Sequence, residues 1–145
     1  MSVFADTTFF VALMDEDDQW HEQAQALLAF AEKWSPLQVH ALAVGEVIAI
    51  IGSHKGGKAA RQAYAMLKDT VQIHVPTIDD LDAAMEHVLR YDGTLSLSDA
   101  LYLHMMKLAE AKQIISFDDD FDGKCIERIS DPPNMGPKPP SRRSR

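Results

Sequence analysis

Short apolar runs alternate along this chain with longer stretches in which apolar residues recur at helical spacing. The runs of strand length cover residues 2–6, 38–42, 71–75, 113–118 and 126–129. Residues 20–34 illustrate the other pattern, with Trp20, Ala24 and Leu27 on one face of a helix. Strands that alternate with helices predict an α/β fold, with a mostly parallel sheet of four to five strands and helices on both faces.

The periodic pattern extends over residues 1–130, which we interpret as one domain, and the last segment differs from it. Residues 131–145 hold five of the seven prolines and carry a net charge of +3. Residues 1–130 carry −11, which gives the total of −8. Such a segment cannot bury enough apolar surface to fold, so we predict a disordered or extended tail. A solvated tail and a loose contact with nucleic acid both stay open.

Several classes of protein are disfavoured by the composition. No apolar run approaches the roughly 20 residues of a membrane span, and Met1–Asp6 lacks the basic start of a signal peptide. The one cysteine, Cys125, excludes an internal disulfide and suits a reducing compartment. We therefore expect a cytoplasmic protein without membrane contact, in which Cys125 is an ordinary buried residue.

Four acidic residues stand out because each one ends or interrupts an apolar run. They are Asp6, Glu46, Asp99 and Asp118. A carboxylate beside apolar neighbours is costly to desolvate without a partner, and no basic residue lies close to any of them in sequence. Asp6 and Asp118 end predicted strands and Asp99 starts a helix, so a parallel sheet can gather them beyond the carboxyl ends of its strands.

A cluster of this kind is expected to bind a cation. Two carboxylates about 4 Å apart repel each other by about 4 kcal/mol at an effective dielectric constant of about 20. Mg²⁺ and Mn²⁺ prefer carboxylate and water oxygens, and they support phosphate-ester hydrolysis by a metal-activated water. Taken singly, each acid is equally explained as a helix cap, a surface charge or a salt-bridge partner, so the hypothesis depends on the set.

Four short motifs in this order resemble those of a known enzyme family. They are Ala5-Asp6-Thr7-Thr8, Val44-Gly45-Glu46-Val47, Leu97-Ser98-Asp99-Ala100-Leu101 and Ser116-Phe117-Asp118-Asp119-Asp120-Phe121. Together they resemble the PIN-domain ribonucleases, and most of all the toxins of VapC-type toxin–antitoxin pairs. The resemblance covers roughly residues 2–130 and implies a sheet-centred α/β fold with endonucleolytic cleavage of RNA.

The resemblance also implies a role for each acid. Asp6 and Asp99 would be the main ligands of Mg²⁺ or Mn²⁺, and Glu46 and Asp118 would bind through water or hold a second metal. Because four aspartates crowd residues 118–122, Asp120 is the second choice for the fourth acid.

Supporting residues and partners follow from the same resemblance. Thr7 and Ser116 match hydroxyl positions that support the metal ligands. Relatives of this kind form homodimers and are silenced by an antitoxin peptide that lies in the acidic groove. The alternative is a non-catalytic PIN-fold module that binds nucleic acid or protein.

A competing motif lies at Gly52–Lys58, which has the spacing of a phosphate-binding loop. Ala59 follows it, where a Ser or Thr would have to bind Mg²⁺. We therefore interpret residues 52–57 as a glycine-rich loop, in which Lys55 and Lys58 face solvent or touch substrate phosphate.

Two further metal sites are disfavoured. Asp118, Asp120 and Asp122 match the first half of a calcium loop, but Ile129 stands where a glutamate is required. The six histidines have no close pairing with one another or with Cys125, so zinc is not expected, and we interpret them as mostly surface or satisfied side chains.

Overall fold

The structure is a computed structural model that describes residues 2–132. The predicted tail lies outside the described residues from residue 133 onward, so its prediction stays open. No helix among residues 2–132 combines the length and the apolar character needed to cross a membrane.

Five strands form one parallel sheet. They are β1 (Val3–Ala5), β2 (Gln38–His40), β3 (Gln72–His74), β4 (Gln113–Ile115) and β5 (Glu127–Ile129). Their spatial order is β3-β2-β1-β4-β5, with every pair parallel. The apolar first strand is therefore the centre of the sheet, and the order of strands reverses between β1 and β4.

Within residues 2–132, six α-helices connect and cover the strands. They are α1 (Thr7–Met14), α2 (His21–Ala31), α3 (Ala41–Lys55), α4 (Gly57–Thr70), α5 (Ile78–Arg90) and α6 (Leu97–Leu108). The chain moves from β1 to β3 in one direction across the sheet and then returns to β4. Because crossovers between parallel strands are right-handed, this return places α5 and α6 on the face opposite to α1–α4. The predicted α/β fold, with a parallel sheet and helices on both faces, is confirmed.

The helix α3 is longer than the sequence indicated. Residues 52–57 were expected to be a loop, but α3 continues to Lys55 and only Gly56 interrupts the chain before α4. Gly56 has φ 92° and donates its amide to the Gly52 carbonyl at 2.9 Å, so it terminates the helix in a conformation that favours glycine. Gly52 itself is an ordinary helical residue, and a Cβ there would reach Ala60 of α4 at 3.5 Å.

Cys125 also departs from its prediction. It is exposed, not buried, and has φ 64° in the turn that precedes β5. The residues that do fill the core come from β1, β4 and the inner faces of the helices, including Phe4, Phe9, Ile114 and Phe117. This packing holds the carboxyl ends of β1 and β4 side by side.

Candidate metal centre

Asp6 lies where β1 ends and α1 begins. Its Oδ1 accepts hydrogen bonds from the Phe9 amide at 3.2 Å and the Thr8 hydroxyl at 2.7 Å. Its Oδ2 accepts one from the Ser116 hydroxyl at 2.6 Å. The bond from Phe9 makes Asp6 the N-cap of α1. A carboxylate has about four acceptor positions, so Oδ2 keeps capacity for one further partner.

Burial controls the protonation of Asp6. The side chain is 2% exposed, and desolvation raises its pKa from 3.8 to about 6 against the lowering effect of its three hydrogen bonds. The charge of Asp118 is a minor contribution to this rise in pKa. Ionisation of Asp6 at neutral pH is therefore favoured by any cation that binds beside it.

Two hydroxyls connect the ends of β1 and β4. The Ser116 hydroxyl donates to Asp6 and accepts the Asp118 amide at 2.9 Å. The Thr8 hydroxyl donates to Asp6 and accepts the Phe117 amide at 2.9 Å. Ser116 thus stands where the sequence expected a supporting residue, but Thr8 was missed. The signal for Thr8 was available, since a hydroxyl two residues after an N-cap lies in the same helical turn.

Asp99, Asp118 and Asp120 each offer a carboxylate oxygen within 4.8 Å of the other two. Asp99 is held in the first turn of α6, where its amide donates to the capping hydroxyl of Ser96 at 3.1 Å. Asp118 accepts the Asp120 amide at 2.9 Å and so starts a short 3₁₀ turn, Asp119–Phe121. Asp120, the second choice for the fourth acid, therefore lies beside Asp118 in the same group.

Glu46 lies on α3, is exposed, and is not one of these three. Its Oε1 accepts the Thr7 hydroxyl at 2.8 Å, so Thr7 supports Glu46. The hydroxyl of Tyr102 on α6 is influenced by the charges of both Glu46 and the buried acids. Burial raises the pKa of Tyr102 well above its usual value, and the charges of Asp6, Glu46 and Asp99 add to the effect. Glu46 therefore stands at the rim of the same negative region.

His40 is a buried residue whose role the sequence did not single out. Its Nδ1 accepts the Ala43 amide at 3.1 Å and caps α3, while Nε2 donates to the Ser98 carbonyl at 2.9 Å. Only a neutral ring can accept and donate in this way, and burial lowers its pKa to about 4. His40 is thus a satisfied histidine, and it anchors the residue that precedes Asp99.

Arg128 brings a cation to one side of the cluster. Its guanidinium donates to the Ser116 carbonyl at 3.2 Å and makes two bonds, of 2.9 and 3.1 Å, with the Asp122 carboxylate. The bonds to Asp122 raise the pKa of Arg128, and the charges of other acids in the loop, including Asp118, add to this. The sequence showed no basic residue near the acids because the parallel register that pairs Ile114 with Arg128 is a tertiary feature.

The segment Gly52–Lys58 has no phosphate-binding geometry. It is the end of one helix and the start of the next, with no strand before it. Lys55 is also engaged, since its Nζ forms an ion pair with Asp17 and lies 3.6 Å from Asp15. Lys55 is exposed, as one of the two interpretations expected, and it also pairs with these two acids; contact with substrate phosphate stays a prediction.

The donor set fits a hard divalent cation. Three carboxylate oxygens converge, and Asp6 has acceptor capacity left beside Asp118. Oxygen donors of this kind suit Mg²⁺ or Mn²⁺, which bind one or two carboxylates directly and keep several waters. The site lies at the switch point between β1 and β4, the usual place for ligands in open parallel sheets.

Comparison with known proteins agrees with this architecture. Residues 3–126 match the PIN domain family. A toxin of Mycobacterium tuberculosis, VapC20, described as cleaving the sarcin–ricin loop, superposes with a TM-score of 0.80 at 26% identity. The alignment covers 88% of this chain and 98% of VapC20. A comparison with curated proteins gives no match.

Two more distant structures share the fold alone. A toxin–antitoxin complex from Klebsiella pneumoniae matches with a TM-score of 0.61 at 19% identity, over 85% of this chain and 92% of its own. VapBC2 from Rickettsia felis, bound to a DNA fragment of its promoter, matches with a TM-score of 0.67 at 9% identity. That alignment covers 89% of this chain and 98% of the other.

Proposed function

The chain belongs to the PIN-domain family, and we propose that it is a metal-dependent endoribonuclease that acts as the toxin of a toxin–antitoxin pair in the cytoplasm. The observation that carries this proposal is the convergence of Asp99, Asp118 and Asp120 within 4.8 Å. The likeness to VapC20, a toxin that cleaves the sarcin–ricin loop, supports RNA as the substrate class.

In this proposal Asp99, Asp118 and Asp120 hold Mg²⁺ or Mn²⁺, and Asp6 contributes through Oδ2. When bound, such a cation neutralises charge on phosphate oxygens and makes a water molecule more acidic. The protein's own contribution is positional. Ser116 and Thr8 hold the Asp6 carboxylate in one orientation through bonds of 2.6 and 2.7 Å.

Glu46 has a different role from the buried acids. It is exposed and its Oε1 is held by Thr7 at 2.8 Å, so its carboxylate is fixed while one side meets solvent. In this proposal Glu46 orients a water molecule at the rim of the site and accepts a proton from that water.

The direct test is incubation of the purified full chain with total cellular RNA, with Mn²⁺ or with EDTA. We expect discrete RNA fragments with Mn²⁺ and none with EDTA, because the acid cluster alone cannot neutralise a phosphodiester. Fragments in both conditions would contradict metal dependence. RNA that is bound but uncut in both would favour the alternative, a non-catalytic PIN-fold module.

An antitoxin and a second copy of the chain are the proposed protein partners. The Klebsiella structure is a toxin–antitoxin complex, which supports a small antitoxin encoded beside this chain; its absence from the neighbouring genes would count against it. Large apolar side chains of the α5–α6 side are exposed, among them Val75, Ile78, Leu89 and Leu108. They support a homodimer, which a monomeric mass in sedimentation would refute.

A further inference from the structure

A cavity of about 400 Å³ lies at the amino ends of β4 and β5, opposite to the carboxyl ends where the acids gather. It is formed where α5 and α6 end and where the chain enters β4 and β5. Four of its lining residues are basic: Arg90, Lys107, Lys112 and Lys124. Among residues 2–132, Glu110 is the only acid that lines it. In a chain of net charge −8, this is a local concentration of positive charge.

The four cations are not used in ion pairs within the described part of the chain. No carboxylate among residues 2–132 forms a salt bridge with any of them. Two of them flank one aromatic ring, with the Lys124 Nζ 5.1 Å and the Arg90 Cζ 5.7 Å from the ring centre of Tyr91. The cavity therefore presents cations whose charge is left for a ligand.

Another lining residue of the cavity, His87, has a lowered pKa. Partial burial lowers the pKa of His87, and the charges of His104, Arg90 and Lys107 lower it further. A protonated imidazole is thus disfavoured beside the cavity, as expected where the local potential is positive.

Stabilisation of helix ends explains only part of the cluster. Arg90 and Lys107 lie in the last turns of α5 and α6, where cations are favourable to the helix dipole. Lys112 and Lys124 precede β4 and β5 and lie in no helix. Their presence in the same cavity calls for an anionic ligand.

We propose that this basic cavity binds phosphate groups of the RNA substrate away from the point of cleavage. The inference rests on the proposed function, since it takes RNA as the ligand. The catalytic edge carries Asp6, Asp99, Asp118 and Asp120 and repels a polyanion, so affinity for RNA must come from elsewhere on the surface.

The two sites are close enough for one RNA molecule. Asp99 and Lys107 are both on α6, and eight helical residues span about 12 Å along the axis. A helical nucleic-acid strand advances about 3.4 Å per nucleotide, so the separation corresponds to about four nucleotides. An RNA that is cut at the acidic edge therefore reaches the cavity within its own length.

The test compares two triple variants of the full chain with equal charge changes. Lys107→Gln/Lys112→Gln/Lys124→Gln alters the cavity, and Lys33→Gln/Arg61→Gln/Lys68→Gln alters residues outside its lining. Binding of a labelled hairpin RNA is measured in EDTA between about 50 and 200 mM salt.

We expect the cavity variant to bind about tenfold more weakly, and its plot of log K against log salt to be flatter by about 2, because each lost phosphate contact contributes about 0.7. The control variant should change affinity by less than about twofold. If three substitutions unfold the chain, as circular dichroism would reveal, Lys112→Gln alone should flatten the slope by about 0.7.

Cleavage in Mn²⁺ separates this proposal from the proposed function. The cavity variant should raise KM for the hairpin and leave kcat unchanged, and it should cut a dinucleotide, which cannot reach the cavity, like the wild type. An unchanged salt slope, or an equal loss in the control variant, overturns the cavity proposal even where RNA is cut. If the cavity variant loses hairpin affinity as expected but the wild-type protein cuts no RNA, the nuclease is refuted and the cavity proposal stands. Wild-type protein that binds no RNA overturns both.

Discussion

Asp99→Asn is expected to reduce Mn²⁺-dependent RNA cleavage at least about a hundredfold, which corresponds to about 3 kcal/mol of activation free energy. The substitution keeps the shape of the side chain and removes its charge from the group that Asp99 forms with Asp118 and Asp120. The helix cap at Ser96 uses the backbone amide of residue 99, so the fold of α6 is retained. The rate is measured on a defined RNA under single-turnover conditions.

The matched control is Asp119→Asn. Asp119 lies between Asp118 and Asp120 in sequence but is not a member of the convergent group. The substitution Asp119→Asn removes the same formal charge as Asp99→Asn. Its rate should stay within about threefold of the wild type, about 0.7 kcal/mol. Equal losses in both variants would mean that general charge, and not a shared ion, explains the effect of Asp99; full activity of Asp99→Asn would refute the nuclease site.

Asp6→Asn is expected to stabilise the metal-free protein at neutral pH by up to about 3 kcal/mol, since the shift in pKa is about two units and each unit corresponds to about 1.4 kcal/mol. The pKa of Asp6 is raised to about 6 in the fold. The carboxyl group therefore contributes its full stability below 3.8 and loses it as the pH rises through about 6. Asparagine stays neutral throughout and removes this loss.

The measurement is urea unfolding in EDTA at pH values on either side of 6, with Asp82→Asn, an exposed residue of α5, as the control. The stability difference between Asp6→Asn and wild type should grow with pH, and that of the control should not. His40 acts in the opposite sense, because its pKa of about 4 makes its contribution fall away as the pH drops through 4. The variant must therefore be compared with the wild type at each pH. A constant difference would contradict the raised pKa of Asp6.

The fold was predictable from sequence where local signals and tertiary packing agree. Asp6 ends a buried strand, so β1 appears at its predicted place, and the same residue caps α1. The end of α3 was misjudged because Gly52 breaks helices by propensity alone. Packing of α3 against α4 near Ala60 overrides that propensity, and the conformation of Gly56 sets the true end.

Of the four acids that the sequence singled out, Asp99 and Asp118 lie in the convergent group, and the arrangement of that group was not predictable. In a run of aspartates, composition cannot distinguish Asp118, Asp119 and Asp120, whereas the 3₁₀ turn brings the first and third into one group. Arg128 was hidden for another reason, since only the pairing of β4 with β5 brings it beside residue 116. The individual metal-binding roles stay predictions until the variants are measured.

The placement of β1 at the centre of the sheet has a consequence for synthesis of the protein. The strand that ends at Asp6 leaves the ribosome before the rest of this domain, yet it pairs with β4, and the Asp6 carboxylate is held by Ser116, from the far end of the domain. Two of the three convergent aspartates follow still later, at residues 118 and 120. Under the proposed function, a nascent chain therefore cannot cleave the RNA that surrounds it until translation of the domain is nearly finished.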